Sequence, residues 1–164
     1  MYNPPAMKIK PIGIIRTPYK DPKKVPIQGK FERSVKGRIE LFPKYRPGLK
    51  DIEGFSHLIL LYYFHRAKKE KILAQPFLED MVHGIFAIRG PMRPNHIGIS
   101  VVKLEKVTGK GLVFSEVDIL DNTPLLDIKP YISYYDSRKN VKNGWLDKHF
   151  KKRKLPERLR KLLK

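Results

Sequence analysis

Two segments of this 164-residue chain concentrate groups able to bind or activate a ligand. The first, "RGPMRPNHIG", runs from Arg89 to Gly98 and sets Arg89, Arg93 and Asn95 around Pro91 and Pro94. Proline fixes φ and removes a donor, so the side chains between the two rings project in a set geometry. Guanidinium groups suit carboxylate and phosphate, and an Asn amide offers a donor and an acceptor together. The same side chains can instead tie the loop to its own backbone carbonyls. The second segment, "DILDNTPLLDIKPY", spans Asp118 to Tyr131 and carries Asp118, Asp121, Asp127, Lys129 and Tyr131. Carboxylates at strand ends suit ribose hydroxyls or an ammonium. Asn122-Thr123-Pro124 is also a good turn, and Asp127 with Lys129 a simple ion pair across a sheet.

Several chemistries have no footing. There is no GxGxxG after a strand, no GxxxxGK[ST] and no GxSxG, so the common phosphate cradles and the hydrolase elbow are missing. The five histidines, at 57, 65, 83, 96 and 149, show neither HxH nor HExxH spacing, and no metal is expected. The lack of cysteine removes disulfides, thiolate nucleophiles and Cys-based zinc sites, and fits a reducing, cytoplasmic setting. The longest apolar run, Leu58 to Phe64, falls far short of the ~20 residues of a membrane span, and no signal region follows the N-terminus. A soluble protein with no membrane partner is expected.

Charge points to the partner. The chain has 35 Lys+Arg against 16 Asp+Glu, a net +19. Such an excess attracts polyanions, with nucleic acid first and acidic membrane second. The ion-pair surface of a heat-adapted protein would carry acids in comparable number.

The elements that must position these groups read as mainly β. "IKPIGIIR", Ile9 to Arg16, is a first strand, and "GRIELF", Gly37 to Phe42, alternates as a half-buried one. Between them Asp21 to Gly29, "DPKKVPIQG", is loop whose backbone is open to a ligand. Leu58 to Phe64 suits a central strand buried on both faces. Ala67 to His83 reads as a loop with one helical turn, a lid. "GIFAI" reads as a strand, and "GISVVKLEKVTG" with "GLVFSEVDIL" as a hairpin turning at Gly109-Lys110-Gly111. "PLLDIKPYI" adds one more extended piece. About five to seven strands with little helix imply a mostly antiparallel β-barrel with short helical turns, since closure removes edges. Residues 1–146 form this domain. Residues 147–164, with nine Lys/Arg against two acids and Leu155, Leu159, Leu162 and Leu163 at helical spacing, form a basic amphipathic C-terminal helix.

"IGIIRTPYK", "IEGFSHLILLYYFHRA", "HGIFAIRGPMRPNHIGISVVKLEKVTGKGL" and "VDILDNTPLLDIKPYI", in this order, closely resemble the TrmO/YaeB (TsaA-like) family over Ile9 to Asp136. The resemblance implies a β-barrel methyltransferase, a homodimer, that uses S-adenosylmethionine to methylate N6 of threonylcarbamoyladenosine beside the anticodon of a tRNA. It implies cofactor contacts at Pro26, Ile27, Gln28, His65, Arg66, Arg89, Ile99, Asp118, Ile119, Leu120 and Asp121. Asp121 is also a candidate base. Arg93, Asn95, Asp127, Lys129 and Tyr131 match motif positions and are expected around the mouth as substrate contacts or scaffold. The family pattern has "FATRSP", "NPIG" and "DGTP" where this chain has Ile88, Gly90, His96 and Asn122. Asn tolerates the left-handed conformation that Gly favours, whereas His96 in place of proline restores a donor. Two other readings remain: a barrel that binds RNA without chemistry, and a methyltransferase of this fold acting on another acceptor.

Overall fold

The computed structural model describes residues 5–150. Six strands close into an antiparallel barrel in the order β1-β2-β7-β6-β3-β8. These are β1 (Gly13–Arg16), β2 (Lys36–Leu41), β3 (His57–Tyr63), β6 (Ile97–Thr108), β7 (Gly111–Ser115) and β8 (Thr123–Pro130). A separate two-stranded ladder joins β4 (Leu73–Ala74) to β5 (His83–Gly84). Single turns of helix, α1 (Ser133–Asp136) and α2 (Asp147–Phe150), lie beyond the last strand.

Alternation along each strand builds the interior. On β3, Leu58, Leu60 and Tyr62 point inward and are buried, as are Ser100 and Val102 on β6. Ile15, Ile39, Phe114 and Leu125 complete the core. Phe114 fills the space opposite Gly37, where a Cβ would come within 2.6 Å of its ring. The expected hairpin of "GISVVKLEKVTG" and "GLVFSEVDIL" is present, with Lys103 to Thr108 paired to Gly111 to Ser115. Its second arm ends at Ser115, because Glu116 takes φ of 61° and turns the chain away.

Four expectations change. The first strand begins at Gly13 rather than Ile9. The apolar run of β3 is buried on its inner face alone: Ile59 and Leu61 are half-buried on the outside and Tyr63 is exposed. "GIFAI" is a 3-10 turn over Ile85–Ala87 instead of a strand. Once six strands have closed, the barrel has no free edge for it to join, and only Ile85 is packed away while Phe86 is 79% exposed. The segment from Ala67 to His83 contains no helical turn, only the strands of the small ladder. Gly144–Leu146 and Asp147–Phe150 form consecutive helical turns, and the rest of the expected basic helix, including Leu155 to Leu163, lies outside the described residues. Among the described residues no helix is long and apolar enough to cross a membrane.

Phe114→Ala is expected to cost about 3–5 kcal/mol in denaturant unfolding. Gly37→Ala, which pushes a methyl against that ring, is expected to cost about 1–3 kcal/mol. Combining Gly37→Ala with Phe114→Leu should recover part of that loss, a non-additivity that a double-mutant cycle measures.

Candidate active site at one rim of the barrel

Strand direction gathers three loops at one rim. Residues 17–35 leave the end of β1, residues 64–96 leave the end of β3, and residues 116–122 lead into the start of β8. The ladder pairs Ile15 with Thr123 and Lys36 with Ser115, so these strand ends are neighbours. Pro26, Ile27, Gln28, His65, Arg66, Arg89 and Asp118 to Asp121 all belong to these loops. The opposite rim receives the other end of β8. Asp127 and Lys129 pair with each other at 2.8 Å along that strand, in place of the expected pairing across the sheet, and Tyr131 sits beside His57. Eight residue steps of ~3.3 Å put Tyr131 about 26 Å along the strand from Thr123, so it is not brought to the mouth. Ile99 points outward from the barrel wall and is 50% exposed.

One part of the rim is a cavity of about 500 Å³ lined by Lys20, His65, Arg66, Asp121 and Asn122. Asp121 is fixed there: one oxygen accepts from the Thr17 N–H at 3.0 Å, the other from the Asn122 amide at 3.2 Å, and its own N–H bonds to the Tyr19 carbonyl. Asn122 adopts φ of 62°, the left-handed turn expected of it, and the Arg16 guanidinium bonds to its side chain. Burial and the adjacent Arg66 hold the His65 imidazole below its ordinary pKa, with Asp121 opposing them. The ring is therefore neutral near pH 7. Thr123 Oγ1 donates to the Leu120 carbonyl at 2.7 Å, so towards His65 Nδ1, 3.4 Å away, it can only accept.

The second part centres on Asp118. Its carboxylate accepts from Ser100 Oγ at 2.5 Å and from the Gly29 N–H, and the Arg89 guanidinium acts on it electrostatically. Gly29 follows directly on Pro26, Ile27 and Gln28, all half-buried. A Cβ there would lie 1.7 Å from the Glu116 carbonyl, so only glycine brings the loop this close. Ile119 is buried, and its carbonyl accepts from Thr17 Oγ1. Arg93 bonds to the Ile88 carbonyl at 3.0 Å, and so ties down the loop that carries Arg89. Asn95 and His96 take φ of 60° and 48°, which makes a turn that proline at 96 could not adopt. The restored His96 N–H is used, bonding to the Arg93 carbonyl.

Sequence reasoning missed Tyr62, Ser100, Thr17, Tyr19 and Lys20. For Tyr62 and Ser100 a signal existed: polar groups at the inward parity of otherwise apolar strands. It also missed a clamp behind Arg89. Glu79, with its side chain 5% exposed, binds Lys148 Nζ at 2.5 Å and His149 Nε2 at 2.8 Å, and also pairs with His83. Trp145 stacks on His83 and donates to the Ala87 carbonyl at 2.9 Å. Among the described residues no group of three or more His, Asp or Glu is arranged to hold a metal. A smaller cavity of about 330 Å³, bounded by Glu53, Ser56, Glu105 and Lys106, contains none of the expected residues.

Fold and site together define an antiparallel barrel that gathers most of its candidate site residues on loops at one rim. The chain belongs to the tRNA-methyltransferase O N-terminal domain family, whose model matches residues 14–137. It is 54% identical over 143 residues to a probable S-adenosyl-L-methionine-binding protein of Pyrococcus abyssi, covering 87% of this chain and 78% of that one. It is 42% identical over 110 residues to a tRNA (adenine(37)-N6)-methyltransferase of Mus musculus, covering 65% of this chain and 26% of the mouse protein. A crystal structure of TrmO from Pseudomonas aeruginosa superposes with a TM-score of 0.72 at 36% identity, covering 85% of this chain and 62% of that one. The chain thus spans less than two thirds of that structure.

The Lys148 hydrogen bond, with those of His149 and His83, pulls the Glu79 carboxyl down to about 2 from an ordinary 4.5. A depressed carboxylate pKa contributes stability that is complete above the ordinary value and lost as pH falls through the folded one. Glu79→Gln is therefore expected to lower the thermal midpoint at neutral pH, by a margin that shrinks below pH 4.5 and vanishes near pH 2. A margin that stays constant down to pH 2 would contradict this.

Proposed function

We propose that this chain is an S-adenosylmethionine-dependent methyltransferase that methylates N6 of threonylcarbamoyladenosine in tRNA. The observation that carries the reading is the convergence, at one rim, of the Pro26–Gly29 turn, the Arg89 loop and the Asp118–Asp121 segment. The family match and the names of the relatives support the same conclusion. The donor set fits the cofactor. Half-buried Pro26 and Ile27 suit an adenine face, carboxylates suit ribose hydroxyls and an ammonium, and Arg89 suits a carboxylate.

Bound there, the sulfonium supplies a methyl group for in-line displacement. The chain's own task is to align the acceptor nitrogen with that methyl and to remove one proton. Asp121 and neutral His65 line the same cavity, and each can take the N6 proton. The exposed Arg89 guanidinium suits the threonyl carboxylate as well as a cofactor carboxylate, and a carboxylate requirement would exclude unmodified adenosine. The net +19 charge supports a tRNA partner through phosphate contacts, and a cytoplasmic setting goes with that substrate.

Labelled methyl from S-adenosylmethionine is expected to enter tRNA carrying the threonylcarbamoyl group and not tRNA lacking it. Arg89→Ala should weaken cofactor binding about tenfold or more, the size of one charge-assisted pair. Absence of incorporation by folded, cofactor-loaded protein would refute the reading in favour of an RNA-binding barrel, and transfer to a small acceptor would favour another substrate.

Pairing of two copies belongs to the same reading. Ile59, Leu61 and Tyr63 on β3 face outward beside Val101, Ile99 and Ile97 on β6, a continuous uncharged stripe on a strongly basic protein. A dimer across this face should appear in light scattering as twice the chain mass, and Val101→Glu should return it to one chain.

A further inference from the structure

The barrel interior below the rim contains a line of polar groups. Tyr62 on β3 and Ser100 on β6 are 4% and 5% exposed. The Tyr62 hydroxyl lies 3.0 Å from Ser100 Oγ, which lies 2.5 Å from Asp118 Oδ1. An ionised carboxylate can only accept, so Ser100 donates to Asp118 and Tyr62 donates to Ser100. The direction of the chain is thereby fixed. At its end Asp118 also takes the Gly29 N–H and its own backbone N–H, while Arg89 acts electrostatically on both Asp118 and Tyr62.

We propose that Tyr62 and Ser100 are positioning residues, which orient the Asp118 carboxylate so that it holds the Gly29 turn and the Arg89 loop together as two sides of the cofactor site. The proposal rests on the cofactor site named above and adds how that site is held in shape. Asp118 then acts through the loops rather than as a direct ligand. Leaving its oxygens unoriented would free the turn that presents Pro26 to Gln28, because the Gly29 amide has its partner there.

The relay has a distinctive pH signature. Burial pushes the Asp118 carboxyl above its ordinary value, while the Ser100 hydroxyl, the Gly29 N–H and Arg89 draw it back down. The ionisable groups facing it are Tyr62 from β3, Arg89 from the 64–96 loop and Tyr19 from the loop after β1, with Glu32 acting on Tyr19 in turn. Protonating Asp118 removes the charge that Arg89 faces and weakens the hold on Gly29. Cofactor affinity should therefore fall as pH drops through that value, and loss of the Ser100 hydroxyl should move the fall to higher pH.

The test follows the Gly29 amide resonance by NMR as pH is lowered, with S-adenosylmethionine affinity measured by calorimetry over the same range. In the parent protein the resonance should titrate with a single carboxyl midpoint. Ser100→Ala should shift that midpoint upward, Tyr62→Phe should shift it less in the same direction, and Ser100→Thr, which keeps a hydroxyl, should restore it. Affinity at neutral pH should drop about tenfold in Ser100→Ala, the scale of one hydrogen bond to a charged group. An unmoved midpoint, or an affinity loss equal at every pH, would show that the two side chains merely fill space and would overturn the proposal. A parent protein that gives the Gly29 titration but binds no S-adenosylmethionine would instead overturn the functional reading, and the cofactor role of the relay with it.

Discussion

Strand β8 hydrogen-bonds to β1 on one side and to β3 on the other, and this double pairing closes the barrel. Everything at the rim depends on it. Closure brings the end of β1, the end of β3 and the start of β8 side by side, and so converts three loops separated by up to a hundred residues in sequence into one site. It also determines what is not at the site. An antiparallel strand that starts at one rim finishes at the other, which is why Asp121 faces the cavity while Asp127, Lys129 and Tyr131, only a few residues later, run away from it.

The interior of this six-stranded barrel is filled by its own core side chains, which leaves the candidate site to the rim loops. Loops lack ladder hydrogen bonds and need other anchors. Here each has one: Asp121 takes the Thr17 amide, Asp118 takes the Gly29 amide, Arg93 ties back to the Ile88 carbonyl, and Trp145 holds the Ala87 carbonyl from the C-terminal side. The anchors are mostly side chain to backbone, a form of contact tolerant of sequence change around it. Acidic residues carry much of this scaffolding in a chain with few acids to spare. Glu79 joins a C-terminal segment to the loop before Arg89 in the same way.

Much of this was legible in the chain. Alternation marked β2, the glycine turn marked the β6–β7 hairpin, and the Asp21–Gly29, Arg/Pro and Asp-rich segments marked parts of all three loops. Asn122 was legible as a left-handed turn because the side chain itself tolerates that conformation. Other features were hidden for physical reasons. The β-like "GIFAI" became a 3-10 turn because strand propensity needs a partner edge and the closed barrel offers none. The run Leu58 to Phe64 looked fully buried, yet one face of a barrel strand always points outward. Tyr62 and Ser100 could have been marked by their inward parity alone, but their link to Asp118 and the Glu79 clamp depend on contacts between residues far apart in sequence, which no local pattern encodes. His96 illustrates the converse: a residue that departs from the family pattern adopts a backbone angle forbidden to the proline it replaces.

The most direct measurement is a crystal structure of the full chain with S-adenosylhomocysteine, the product left after methyl transfer. Ligand density is expected at the rim, contacted from one side by Pro26 to Gln28 and from the other by the Arg89 loop, with the Asp118–Asp121 segment beneath. Density at the opposite rim near Glu53 and Lys106, or none at saturating ligand, would contradict a cofactor site assembled by barrel closure around Asp118.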